Sequence, residues 1–287
     1  FIYFIFGHSY WAVYILQAVI GAITCVLIYF IGKLLFSRSV GLIASLMAAL
    51  YSSFVFYTGM LVGETLGLFL ICLAFIFLLL FQKTQKLYHL FFGGLTLGLS
   101  MLLRANILIL LPLIFLWLFT LLKNRVIVFK VLSVSIFILA TAIAILPIIL
   151  RNYIIEKDVV PIAASGGLNV YIGNAYGADG RFRAVEKIGT NLEDMLRNSV
   201  KIAQEDAGKK LKPSAISNYW LKETLRSINS HGITYIFPLV IKKFVMFWNS
   251  YELPDIWDYY FFKLYIPVLN LPLFSFFIIA PLAFAGL

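Results

Sequence analysis

Acidic residues are almost missing from the first half of this chain. Glu64 is the only Asp or Glu among the first 155 of its 287 residues. Charged residues of both signs make up 13% of the whole, against about 25% in an ordinary soluble domain. A water-soluble globular class is excluded on that ground. Cysteine is also scarce. Cys25 and Cys72 both lie inside apolar runs, which excludes a disulfide framework and reads as packing. His8, His89 and His231 are far apart, so a histidine metal site is excluded. No GxxxxGK[ST] phosphate loop, dinucleotide fingerprint, GxSxG elbow or Cys/His pairing is present.

What is present is apolar: 62% of the residues are hydrophobic. Apolar runs of about 20 residues recur, the length that crosses a hydrocarbon core about 30 Å thick. The net charge of +10 would suit nucleic acid, but it sits mainly in short loops between these runs, where membrane topology accounts for it. Nucleic acid is therefore not a partner. Membrane lipids are.

Three of those loops, Lys33/Arg38, Lys83/Lys86 and Lys123/Arg125/Lys130, fall on the cytoplasmic side by the positive-inside rule. Each stretch between them then crosses an even number of times. Residues 39–82 are 44 long, roughly 66 Å as helix, which predicts two helices with an outer turn at Thr58-Gly59 to Gly63-Glu64. Residues 87–122 are 36 long, roughly 54 Å, with their only polar break at Arg104-Ala105-Asn106. Helices from about residue 10 to 32 and 126 to 149 flank these. The expectation is an all-α polytopic membrane protein with about seven to eight transmembrane helices and an extracytoplasmic α+β segment. Residues 1–150 form the helical core, 151–265 the outer segment, and 266–287 the start of further spans.

Glu64 and Arg104 are the sole acid and the sole base of residues 1–150 outside the cytoplasmic loops, and both land at outer helix junctions. An ionisable group costs about 2.5–3.5 kcal/mol at the centre of a span, and less near the interface. Two on one face suggest a site. Plainer readings stay open: Glu64 as a helix start that complements the dipole, Gly59, Gly63 and Gly67 as a close helix contact, and Arg104 as a snorkelling side chain.

After Pro147 the character changes at Arg151-Asn152-Tyr153. The stretch VVPIAASGGLNVYIGNAYGADGRF predicts short strands and turns. Its Gly166-Gly167 and Gly173-Asn174 pairs are either anion-holding backbone nests or ordinary turns. Residues 191–208 predict an amphipathic helix, and Pro213-Ser214 opens another, with Ser214 as N-cap. ITYIFPLVIKKFVMFWNSYELPD, interrupted by Pro238, either lies at the membrane boundary or makes an eighth span. The chain begins FIYFIFG without a methionine and stops in the apolar run PLAFAGL, which reads as a fragment with material missing at both ends.

The order FGHSYWAVYILQAVIGAITCVLIYFIGKLLFSRSVGLIASLMAALYSSFVFYTGMLVGETLGLFL, then GGLTLGLSMLLRANILILLPL, resembles the membrane core of the protein mannosyltransferase family. More broadly it resembles the glycosyltransferase C superfamily, which includes the lipid A aminoarabinose transferase. RNYIIEKDVVPIAASGGLNVYIGNAYGADG and FWNSYELPD are similar to a bacterial branch of it. The resemblance implies an enzyme of the bacterial inner membrane that takes a sugar from a polyprenyl-phosphate donor. It passes the sugar to an envelope acceptor (protein, lipid A or glycan) on the outer face. Glu64 matches an acidic residue at the start of a membrane helix lining the family's catalytic cavity. Arg104 matches a Lys or Arg suited to the carrier phosphate, and Arg151 is a weaker match facing the anionic lipid. The family's principal carboxylate lies in a first outer loop, which would precede FIYFIFG.

Displacing a sugar from phosphate needs a base for the acceptor hydroxyl and a cation for the departing phosphate. The phosphate is itself a good leaving group, so no cofactor is expected and no divalent metal is indicated. The alternatives are a transporter or flippase, whose site would lie at the bilayer midplane between repeated halves, and an envelope polysaccharide polymerase or ligase. No internal repeat is evident.

Overall fold

A computed structural model describes residues 2–160, 162–181, 188–189, 191–254 and 257–286. The chain divides into two compact units, Phe1–Pro147 with Tyr259–Leu287, and Ile148–Asp258.

In the first unit a short α1 (Ile2–Phe6) leads into α2 (Tyr10–Leu35), an almost wholly apolar helix. Helices α3 (Arg38–Ala49) and α4 (Ser52–Thr58) follow, split where the Leu50 carbonyl and the Ser52 amide pair with the backbone of Phe274. α5 (Glu64–Thr84) and α6 (Leu87–Leu103) form a hairpin. Its turn is tight because Gln85 takes a left-handed conformation, φ 55°, with its side-chain amide on the Phe81 and Gln82 carbonyls. A 3₁₀ turn over Ala105–Ile109 enters α7 (Leu110–Leu121), and α8 (Ile127–Glu156) carries Pro147 within it.

The α6–α8 crossing shows why small residues sit where they do. A Cβ on Gly94 would lie 2.5 Å from the Phe137 carbonyl, and one on Gly98 2.7 Å from the Thr141 carbonyl. Thr141 Oγ1 then reaches the Gly94 carbonyl at 3.1 Å. Close backbone approach with a hydroxyl bridge is how helices associate where water cannot drive them together.

The helices α2, α5 and α8 are long and apolar enough to cross a hydrocarbon core. Four shorter apolar stretches accompany them: Arg38–Ala49, Leu87–Leu103, Ala105–Leu121 and Phe276–Ala285. Three helices thus meet the length requirement among the described residues, where seven to eight crossings were expected. At 17 residues, α6 is roughly 25 Å long. Large apolar side chains face outward along these helices, with Trp11 76%, Ile109 72% and Phe119 70% exposed. Apolar surface on that scale belongs against lipid. The chain is a membrane protein.

The second unit has four α-helices of its own among the described residues. α9 (Gly166–Asn174) occupies the stretch expected as strands and turns, and no strand occurs among the described residues. The reason is tertiary. Leu168 and Ile172, four apart, share a helical face and pack with Ile188, Met195 and Trp220. Gly167 lets α9 lie directly against the Ser217 backbone. Its N–H donates to Ser217 Oγ at 2.9 Å, so that amide is committed inside the unit, which disfavours the nest reading.

α10 (Leu192–Ala207) carries the expected amphipathic pattern, with Asn191 Oδ1 accepting from the Asp194 N–H at 2.8 Å. α11 (Pro213–His231) begins where Pro213-Ser214 placed it, but Ser214 is not its cap. Asp158, distant in sequence, accepts from the Ser214 N–H and hydroxyl, both at 2.7 Å. α12 (Ile236–Phe247) holds Pro238 in its first turn, where proline is tolerated, and its 12 residues span roughly 18 Å, too short to cross. α13 (Tyr259–Lys263), a 3₁₀ turn and α14 (Phe276–Ala285) return to the first unit.

The two hydrogen bonds from Ser214 hold the Asp158 carboxyl below the usual carboxylate range. A carboxyl whose pKa is lower folded than unfolded stabilises above its unfolded value, about 3.9, and loses that contribution as pH falls through the folded value. Asp158→Ala therefore costs about 1 kcal/mol at neutral pH, the usual worth of such a cap. The gap to the wild type closes on acidification below about pH 4. Thermal unfolding in detergent across pH checks this; a gap that stays constant into acid refutes it.

Candidate functional site

Three local features bring Glu64 and Arg104 together. Glu64 is the first residue of α5, directly after the turn Gly59–Gly63. Arg104 ends α6 in an extended conformation, φ −141°, ψ 102°, its N–H still on the Ser100 carbonyl at 3.0 Å. Between them stands Leu103, whose Cδ atoms lie 3.5 Å from the Cβ position of Gly63 and 3.9 Å from that of Gly67. Gly63 and Gly67, two of the three glycines spaced by four, thus receive a side chain of α6, a close helix contact of the kind the spacing suggested. Their missing side chains let the end of α6 close on the start of α5.

The outcome is an ion pair between Arg104 Nη2 and Glu64 Oε1. The Glu64 side chain is 21% exposed and that of Arg104 51%. Oε2 of Glu64 is buried with no hydrogen-bond partner among the described residues. One carboxylate oxygen is thus neutralised and the other is an idle acceptor. The half-exposed guanidinium has five N–H donors, which leaves capacity for an anion.

Glu64 also lines a cavity of about 530 Å³ within the first unit. Its walls come from α2 through α5. Ala18, Gly21, Ala22, Ala48 and Ala49 make it roomy, and Thr24, Ser53, Thr58 and Thr65 supply hydroxyls. Glu64 is the one charged side chain in the lining. Apolar walls with a few convergent polar groups describe a ligand site. Cys25 lines the same cavity and Cys72 is buried in α5, both as free thiols. Among the described residues no three His, Cys, Asp or Glu side chains cluster as a metal site.

Arg151 belongs to the second unit, exposed, with Nη1 donating to Asn152 Oδ1 at 3.3 Å. One polar residue of the site escaped sequence reasoning. Gln17, 8% exposed on α2, donates through Nε2 to the carbonyls of Met60 and Val62, each at 3.0 Å. Its signal was there as a lone amide inside an otherwise apolar span.

The first unit is thus an apolar helical core with one carboxylate, Glu64, on a roomy cavity and Arg104 paired to it. The family model for dolichyl-phosphate-mannose-protein mannosyltransferase matches residues 1–150, and the chain belongs to that family. It is therefore of the membrane glycosyltransferase class, mannosyltransferase type. No curated protein and no solved structure gives a significant match to the chain.

Proposed function

We propose that this protein transfers a sugar from a polyprenyl-phosphate donor to a hydroxyl of an envelope acceptor, on the outer face of a bacterial inner membrane. The Glu64–Arg104 pair carries the reading, because it joins a carboxylate on the cavity to a half-exposed cation suited to phosphate. In the transfer the acceptor oxygen forms a bond to the anomeric carbon as the bond from that carbon to the phosphate oxygen breaks. The phosphate leaves with the electron pair, and the hydroxyl proton passes to a base. Arg104 receives the phosphate charge as it develops, the kind of interaction that lowers a barrier. Glu64 supports the acceptor from inside the cavity and holds Arg104 before the donor arrives. Arg151 meets the anionic lipid from the outer segment, residues 151–265. The shorter apolar helices complete the crossings begun by α2, α5 and α8.

The reading is tested with membranes containing the complete protein, tritiated mannosyl phosphopolyprenol and a Ser/Thr-rich peptide. Label passing to the peptide, or to an envelope glycan or lipid A added in its place, is the expected result. Donor that stays intact with every acceptor, and with an aminopentose-linked donor as well, would overturn it.

A further inference from the structure

We propose that Gln17 is a positioning residue for this site: it clamps the turn that presents Glu64, and so sets where the carboxylate stands against Arg104 and the cavity. The inference rests on the functional reading of the Glu64–Arg104 pair given above.

Gln17 sits in the first half of α2, a helix of apolar composition, and is buried. A leucine there would need no partners. The amide instead spends both N–H donors on consecutive features of one turn, the carbonyls of Met60 and Val62 at 3.0 Å. Its own Oε1 is buried with no partner among the described residues. Leaving such an acceptor unpaired is costly, so packing alone gives no reason for a glutamine at this position. What it does is hold a loop that has little regular structure of its own. Within the turn, Met60 N–H bonds the Tyr57 carbonyl at 3.2 Å and Val62 N–H bonds the Met60 carbonyl at 2.9 Å. Those bonds close the turn on itself. The bonds from Gln17 fix it to a neighbouring span.

Two further contacts hold this region, the second of them from α2. Met60 is buried in a cluster with Phe56, Tyr259 and Leu269, which holds one edge of the turn. One helical turn on from Gln17, the Cβ position of Gly21 lies 3.3 Å from Thr58 Oγ1, the last residue of α4. Glu64 begins α5 two residues after the Val62 carbonyl that Gln17 holds. A shift of the turn therefore moves the carboxylate directly.

The test is a double-mutant cycle on the complete protein in membranes, read as transfer from tritiated mannosyl phosphopolyprenol. Gln17→Met keeps the length and apolar fit and removes both hydrogen bonds. It lowers kcat by about 10- to 100-fold, the range that a misplacement of about 1 Å produces, with the donor KM unchanged. In a Glu64→Gln background the same substitution has no further effect, because the group it positions is already disabled. Gln17→Asn, which retains the amide but draws it back by one methylene, behaves like Gln17→Met and carries the cycle where the methionine protein does not fold. A loss of equal factor in both backgrounds assigns Gln17 to general stability and overturns the positioning role alone. Failure of both variants to fold does the same. A Glu64→Gln protein with wild-type turnover overturns the reading of the site, and this role with it.

Discussion

Arg104→Ala in the complete protein lowers kcat/KM for sugar transfer by about 100- to 1,000-fold, or ~2.7–4 kcal/mol, the usual cost of removing a group that meets developing charge. The reasoning starts from position. Arg104 ends α6 in an extended conformation, half-exposed, with Nη2 on Glu64. A guanidinium held by one carboxylate oxygen has further donors for phosphate, and phosphate is the group that gains charge as the sugar departs. Alanine removes an interaction that strengthens along the reaction, so the loss falls on kcat as well as on donor KM. Arg104→Lys retains the charge without the planar fork and recovers part of the activity. Unchanged steady-state kinetics for the alanine variant would remove Arg104 from the mechanism and leave it as an interfacial ion-pair partner.

Glu64→Gln lowers turnover by about 100-fold, the lower end of what positioned proton-transfer or hydroxyl-orienting groups contribute. The amide is nearly isosteric, so the cavity of about 530 Å³ keeps its shape. What changes is charge. The buried Oε2, which has no partner among the described residues, is no longer part of an anion, and Arg104 loses its resting counterion. The donor KM therefore does not rise with the fall in kcat, because the phosphate no longer competes with a carboxylate for Arg104. Stability changes by less than about 1 kcal/mol, as for other solvent-accessible ion pairs, since the Arg104 side chain is 51% exposed. Parallel measurement of kinetics and thermal unfolding separates the two effects. A large loss of stability with unaltered turnover would make the pair structural.

Much of this site was legible before the fold was known, and the reason is local. A single acid and a single base outside basic loops stand out against apolar spans. The basic loops and the lengths of the apolar segments between them put a helix break beside each, so both charges had to fall at helix ends. Their pairing was not legible, because it depends on Leu103 seating against Gly63 and Gly67 across the α5–α6 hairpin. Gln17 was passed over because its partners are 43 and 45 residues away. The stretch after Pro147 was misread for a related reason. Its glycines look like turn residues in isolation, yet Gly167 is small so that α9 can press onto the Ser217 backbone.

Composition and the spacing of charges were enough to determine that this chain lives in a membrane, that its helices break beside Glu64 and Arg104, and that these two ionisable residues stand apart. These follow from the cost of placing charge and unpaired backbone in hydrocarbon, which acts on each segment separately. Tertiary structure alone decided that Glu64 faces Arg104, that the carboxylate opens onto a cavity walled by small residues, and that Asp158 caps α11. Each is a contact between segments far apart in the chain. Such contacts depend on side-chain shape and close helix approach, which no local pattern of polarity encodes.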